Sequence, residues 1–469
     1  MSEDFEKHYG DQDILDVINK YQDMLLNNKS CFFDLFEFED IIDYYICNND
    51  FSNALVANKL ALERFPFAPS LKLRKARILC EKNVVTKALQ IIQEVEGVES
   101  HNFELHLIKG NLLHKTGRQT EAIKEFDKAI RFSRENRDEL VFSIAQTFLD
   151  SGKVSLAVKY LLLAHEINDK NLLVLYELAT SFQQLEYYDK AAEYLQKFLD
   201  IDPFAENVWY NLGVSYSKLE RFEDALEAFD YALAINNRYN SAYYSKAELH
   251  YDLGHYIEAI VVYKEILQFD SGNVHIYCLI GDCCLKAGYF EEALDFFKQA
   301  RQIDNKNPDA WYGLALVYKN TGKLHHSLVN IQKSIKLDKE NAEYWFFLGE
   351  IYDAMSATEN AMKAYLKAIE TDPSYYEAWL SFAKMYYREN KVTDAIEVLN
   401  RAYQYNYDIS TVNYQLAAYH SIARQYNAAA EYFEKGLALN YSEHKDYLQK
   451  INEYFDSDTI RRILAKFQK

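Results

Sequence analysis

One small residue, recurring at a fixed interval, limits what this chain can fold into more than any other feature. It is alanine at 54, 88, 122, 157, 191, 225, 259, 293, 361, 395 and 429, with Ser327 filling the remaining place. The step is 34 residues throughout, apart from one step of 35 between Ala122 and Ala157. For a chain of 469 residues length alone suggests about three domains, but a sustained period of this size marks a repeat array instead.

Other columns lock to the same register. With the alanine at position 20, repeats start at residues 35, 69, 103, 138, 172, 206, 240, 274, 308, 342, 376 and 410. Position 8 is Gly or Ala in eleven repeats, with Ile42 the exception, and position 27 is Ala, Ser or Gly in nine. Position 11 is commonly aromatic (Tyr45, Phe148, Tyr216, Tyr352), and all four tryptophans, Trp209, Trp311, Trp345 and Trp379, stand at position 4. Antiparallel helices approach to about 8–10 Å only where small side chains meet. Positions 8 and 20 are predicted to be that meeting point within a hairpin, position 27 its counterpart towards the next. Large residues at 4, 11 and 24 (Phe126, Phe229, Tyr263, Phe297, Tyr365, Phe433) fill the surrounding space.

Punctuation agrees with an all-α chain. Only 14 glycines and 5 prolines are present, and these are the residues most costly inside helices. Position 15 is Gly or Asn in eight repeats, as the left-handed end of a first helix requires. All five prolines (Pro66, Pro69, Pro203, Pro308, Pro373) fall at junctions between hairpins. At the ends, Ile14, Val17, Ile18, Tyr21 and Leu25 form a stripe suited to an N-terminal capping helix within 1–34. Tyr447, Ile451 and Phe455 continue one more helix within the C-terminal cap, 444–469. Asp456-Ser457 reads as the N-cap of a last helix carrying Ile460, Ile463, Leu464 and Phe467, with Arg461, Arg462, Lys466 and Lys469 towards its C-terminal half.

Trp at 4, Leu at 7, Gly or Ala at 8, Tyr at 11, Ala at 20, Phe or Tyr at 24, Ala at 27 and Pro at 32 resemble the tetratricopeptide repeat, in a long array of bacterial type. The match is closest at Trp209–Ala232 and Trp345–Pro373, and the resemblance covers residues 35 to about 443. Repeats 2 and 3 depart from it, with Lys72 and His106 at position 4 and Lys75 and Lys109 at position 7. The resemblance implies an all-α, right-handed superhelical solenoid of about twelve hairpins. Its concave wall would be lined by first helices at positions 2, 5, 9, 12 and 13, over a path of roughly 120 Å at about 10 Å per hairpin.

Composition and motifs exclude most chemistry. A formal charge of −19 repels phosphate backbones, which argues against nucleic acid and anionic membranes and permits a basic partner. The related 35-residue RNA-binding helical pairs need a basic groove that this chain lacks. No secretory signal, membrane span or disulfide framework is present, so a cytoplasmic setting is expected. No phosphate-binding loop, dinucleotide fingerprint, zinc-protease motif or nucleophile elbow occurs. Cys278, Cys283 and Cys284 share one predicted helix but diverge around it, and His325-His326 has no further ligand at metal spacing. No catalytic residue, metal or cofactor is expected.

The remaining signal lies on the first helices. Family members that grip heat-shock chaperone carboxylates need Lys at 5 and Asn at 9, Asn at 6 of the next repeat, then Lys at 2 and Arg at 6. No three successive repeats here supply that set: Asn111 follows Leu107, and Asn211 follows Tyr176 and Thr180. Position 5 carries instead Phe142, Tyr176, Tyr210, Tyr244, Tyr312, Phe346 and Tyr414, with Glu248, Asp282, Glu350 and Asp353 beside them. Aromatics at position 5 also occur in this repeat as background packing. Read functionally, they form a groove for a basic–apolar protein or peptide segment. On that reading Tyr210→Ala with Tyr244→Ala abolishes capture and leaves helicity intact. The expected role is a non-catalytic interaction scaffold; the alternative is a regulatory subunit gating an enzyme encoded elsewhere. Self-association is left open by the sequence.

Overall fold

The computed structural model describes residues 11–27, 31–445, 447 and 457–467, and every regular element among them is an α-helix. Contacts divide the chain into two units, Met1–Ile235 and Asn236–Lys469. The first holds a cap helix, Asp11–Asn27, and six hairpins: Leu35–Cys47 with Phe51–Arg64, Pro69–Glu81 with Val85–Glu96, Phe103–Lys115 with Gln119–Phe132, Arg137–Asp150 with Val154–Ile167, Leu172–Gln184 with Tyr188–Leu199, and Glu206–Lys218 with Phe222–Ile235. The second holds Asn240–Asp252 with Tyr256–Phe269, Val274–Lys286 with Phe290–Ile303, Pro308–Asn320 with Leu324–Leu337, Ala342–Ala354 with Thr358–Thr371, Tyr376–Arg388 with Val392–Tyr403, and Ser410–Ile422 with Tyr426–Leu439, then a final helix, Ser457–Phe467.

The small-residue column is the innermost layer of each hairpin. Every member is 0–1% exposed. Ser327 fits there because its hydroxyl donates to the carbonyl of Ala315 at 2.7 Å, which matches the polar group it buries. In nine repeats positions 8 and 24 compensate one another in volume, whereas Ala247/Tyr263 and Ala417/Phe433 combine alanine with a buried ring. Gly110, Gly213, Gly281 and Gly349 each face an aromatic ring at position 24 (Phe126, Phe229, Phe297, Tyr365), and a Cβ on any of them would lie 2.5–2.8 Å from that ring. Where position 8 is alanine, position 24 is Leu or Ile in five repeats: Ala76/Ile92, Ala145/Leu161, Ala179/Leu195, Ala315/Ile331 and Ala383/Leu399, all 0% exposed. Ile42, the odd residue at position 8, pairs with Asn58, whose amide donates to the carbonyl of Leu71 at 2.8 Å.

Each hairpin turn is closed by one residue in the left-handed region. The eight Gly and Asn residues of position 15 all have positive φ, and Glu186, Glu220, Ser356 and Arg424 do the same in the other four repeats at φ 58–62°. A further left-handed residue, Asn136 (φ 50°), explains the single 35-residue step. It is the extra residue between hairpins, and the following helix starts at Arg137, one residue ahead of the register.

The indoles tie each hairpin to the loop before it. Trp209, Trp311, Trp345 and Trp379 each donate from Nε1 to the carbonyl six residues earlier, at 2.9 Å in every case. Three other residues at position 4 make the same bond: His106 to Ser100, Tyr243 to Asn237 and Asn413 to Tyr407, at 3.0, 3.4 and 3.0 Å. Asparagines 102, 171, 273, 307 and 341 cap the first helices by accepting from backbone N–H groups of the first turn.

Both ends are covered. Ile14, Ile18 and Tyr21 are buried, Tyr21 in a cluster with Phe33, Phe38 and Ile41 against which Val17 and Met24 pack, whereas Leu25 is exposed. Ile460 and Ile463 are buried beside Phe433 and Leu437, with Leu464 and Phe467 against them. Ile451, Phe455, Asp456 and Lys469, and the side chains of Ser457 and Arg461, lie outside the described residues. No described helix is long and apolar enough to cross a membrane.

Candidate peptide-binding surface

In the first unit, Phe142, Tyr176 and Tyr210 stand on successive first helices and are half-buried. Their neighbours form a hydrogen-bonded polar ladder. The Asn211 amide donates to Tyr176 Oη at 3.1 Å, Gln183 donates to the Asn211 carbonyl and to Ser215 Oγ at 2.9 and 2.8 Å, and Gln146 donates to Glu177 at 3.2 Å. This face is amphipathic, with amides, hydroxyls and the Glu177 carboxylate set around the rings.

In the second unit Tyr244 is half-buried, Glu248 is exposed, and Asp282 accepts from the Tyr251 hydroxyl at 2.6 Å. Two to three repeats further on, Tyr312, Phe346 and Glu350 converge on a recess of about 430 Å³. Leu316, Lys319, Asn320, Glu343, Phe347 and Tyr375 complete its wall. Phe346 meets Tyr375 edge-on at 5.4 Å and Tyr365 at 5.7 Å, and Tyr312 meets Phe347 edge-on at 5.3 Å. Polar groups are placed around these rings. The Tyr312 hydroxyl donates to Glu343 at 2.8 Å, and Lys319 Nζ sits 2.8 Å from Glu350 while lying 4.9 Å from the centre of the Phe347 ring. Burial and the Glu343 carboxylate raise the Tyr312 hydroxyl far above its ordinary value, so it remains a neutral donor.

Tyr414 departs from the other position-5 aromatics. It is 0% exposed, stacks under Tyr447 at 5.2 Å, and donates its hydroxyl to the carbonyl of Asn440 at 2.7 Å. The aromatic signal there belongs to the covered end of the array. Glu343 stands at position 2, one of the positions assigned to the concave wall, although it is not singled out among the site residues expected from sequence. Tyr375, from the loop before the next repeat, is absent from the sequence expectation.

Among the described residues, Glu96, His106 and Glu125 place ligand-type atoms within 4.8 Å of one another. Lys109 already bonds both oxygens of Glu96 at 2.9 Å and approaches Glu125 at 3.6 Å, and Lys128 lies 3.0 Å from Glu125. His106 faces an acceptor on each side, the Ser100 carbonyl and the Glu125 carboxylate at 2.6 Å. Burial works against the Glu125 charge, but bonds from His106 and Lys128 and the charge of Lys109 hold its carboxyl below the ordinary value. The Lys109 and Lys128 ammonium groups and the His106 ring fill the cation's place. The buried thiols are equally closed: burial pushes Cys80 up to about 11 and Cys278 and Cys283 up to about 12.

Profiles of the tetratricopeptide repeat match residues 103–136, 173–204, 206–239, 241–273, 308–341 and 342–375, and a TPR repeat profile matches 281–322. Yeast Tom70 is similar over 93% of this chain and 99% of its own, at 16% identity and a TM-score of 0.48. A tetratricopeptide repeat protein from Parabacteroides merdae is similar over 53% of this chain and 98% of its own, at 20% identity and a TM-score of 0.41. YrrB, described as a TPR protein with an unusual peptide-binding site, is similar over 40% and 96%, at 21% identity and a TM-score of 0.31. No curated protein matches the sequence. With its helix pairs in the 34-residue register and the repeat profiles falling upon them, the chain belongs to the tetratricopeptide-repeat family.

Proposed function

We propose that this protein is a non-catalytic scaffold that binds extended protein or peptide segments along the face formed by its first helices. The recess at Tyr312, Phe346 and Glu350 carries this reading. It is a concave recess in which four aromatic rings stand among four polar side chains, a combination of contact area and directed polar groups that suits a binding site. Rigid aromatic side chains give contact area at low entropy cost. The acidic residues Glu248, Asp282, Glu343 and Glu350 favour partners that are basic as well as apolar.

The test is an array of nonamer peptides spanning acidic, neutral and basic compositions, probed with the full chain. Basic–apolar peptides should be retained and acidic ones excluded. Tyr210→Ala with Tyr244→Ala, one change on each unit, should remove most of the retained signal while the helical circular dichroism stays unchanged. Retention unaffected by the two changes would sink the first-helix face as the binding surface.

A further inference from the structure

The recess in the second unit has a charge pattern that selects one kind of side chain. Its two carboxylates, Glu343 and Glu350, face a single cation, Lys319. Glu343 is exposed, lines the recess, and accepts from the neutral Tyr312 hydroxyl through one of its carboxylate oxygens. The rings of Tyr312, Phe346 and Tyr375 stand beside it. Lys319 demonstrates the chemistry from within the chain: its ammonium sits against the Phe347 ring and salt-bridges Glu350 at the same time.

We propose that this recess receives the guanidinium of an arginine in the bound peptide, stacked against the aromatic wall and forked onto Glu343. The inference rests on the peptide-binding reading above and names the residue that this part of the surface reads. Arginine fits better than lysine because a planar guanidinium can lie on an aromatic face while two of its N–H groups reach one carboxylate. A compact ammonium can touch a ring and a carboxylate together, as Lys319 does, but it has no planar fork to set two parallel N–H groups on one carboxylate. The arriving charge also offsets the excess carboxylate, so its desolvation is compensated by partners already in place.

The experiment repeats the peptide array with the central residue varied as arginine, lysine, citrulline and glutamate, followed by affinities in solution for the best series. Citrulline keeps the shape of arginine and removes its charge. Arginine should bind at least tenfold more tightly than citrulline, with lysine between them and glutamate weakest. Glu343→Gln should remove most of the arginine-over-citrulline ratio. Lys319→Met should move the ratio the other way, about threefold up, because Glu350 loses its internal cation and becomes available. That opposite sign separates recognition from general damage to the fold. Peptides retained with equal affinity for arginine and citrulline would overturn the proposal and leave the scaffold reading standing. An arginine preference unchanged by Glu343→Gln would also overturn it, and retention of no peptide would overturn both.

Discussion

Exchange of volume between positions 8 and 24 makes a prediction with a change of sign. Gly213 lies against Phe229, and an added Cβ would fall 2.6 and 2.7 Å from two ring carbons and 3.1 Å from the Ala225 carbonyl oxygen. Non-bonded carbons rest at about 3.5–4.0 Å, so Gly213→Ala drives the methyl about 1 Å into a ring that is 1% exposed. Overpacking of this kind costs about 3 kcal/mol at the upper end. Alanine in a helix interior recovers about 1 kcal/mol relative to glycine, leaving a net loss of about 2 kcal/mol. In a Phe229→Leu background the ring is gone, and the site resembles Ala145/Leu161, Ala179/Leu195 and Ala383/Leu399, which are fully buried. Gly213→Ala should then stabilise by about 1 kcal/mol, a coupling near 3 kcal/mol between the two positions. Global unfolding of a repeat array is not a two-state event, so the readout is native-state hydrogen exchange of amides in the hairpin 206–235, which reports local opening. A Gly213→Ala effect of the same sign in both backgrounds would refute the volume argument.

Three further outcomes follow from the geometry. Replacing Arg424 or Glu186 by glycine should stabilise its hairpin by about 0.5–1 kcal/mol, since each holds a side chain in the left-handed region; thermal melts and hydrogen exchange check this. Exposed Cys47 should react with a thiol reagent at pH 8, while Cys80, Cys278 and Cys283 stay unmodified until the chain is denatured, as labelling followed by mass spectrometry would show. Those folded values lie above the unfolded value, so the stability from the buried thiols is complete below about pH 9. It is lost as the pH rises towards 11–12. His106→Ala should cost about 3 kcal/mol by leaving Glu125 with one fewer buried partner. Because the folded Glu125 carboxyl lies below its ordinary value, its contribution is present at neutral pH and lost as the pH falls through that lowered value, measurable as acid-induced exchange in the hairpin 103–132.

How far the sequence could be read depended on whether a position acts through residue size or through geometry. Alanine, glycine and tryptophan columns were legible because size is visible in the letter. Left-handed turns were legible at Gly and Asn but not at Glu220 or Arg424, where the tertiary frame imposes a conformation their propensity disfavours. Repeat 3 reads as degenerate at His106, yet its ring makes the bond that the indoles make elsewhere. A register of residue types conceals an equivalence between N–H donors. Tyr414 fails in the opposite direction: its column suggests a binding face, but Tyr447 from the end of the chain covers it. Columns describe interior repeats, and terminal ones answer to their caps. Most of the recess stands in the first-helix columns assigned to the concave wall, Glu343, Tyr312, Phe346, Leu316, Glu350 and Lys319 among them, while Tyr375 comes from the loop before the next helix.

The contrast between columns bears on what kind of ligand the surface suits. Position 20 scarcely varies, because its task is the same in every hairpin. Position 9 runs Asp43, Arg77, Asn111, Gln146, Thr180, Val214, Glu248, Asp282, Leu316, Glu350, Lys384 and Ala418. A uniform polymer, such as a phosphate backbone, presents the same group at every step, and a surface built for it would repeat the complementary group at the same period. Here neighbouring repeats offer a guanidinium, amides, a hydroxyl, a carboxylate pair and an aliphatic side chain in turn. Such a face matches a ligand whose chemistry also changes residue by residue, which is the property of a polypeptide segment of defined sequence. It also places the discriminating power in a few local sites rather than along the whole array. On this argument Glu343→Gln should alter which peptides bind, whereas Gly213→Ala should alter only how firmly one hairpin stays closed.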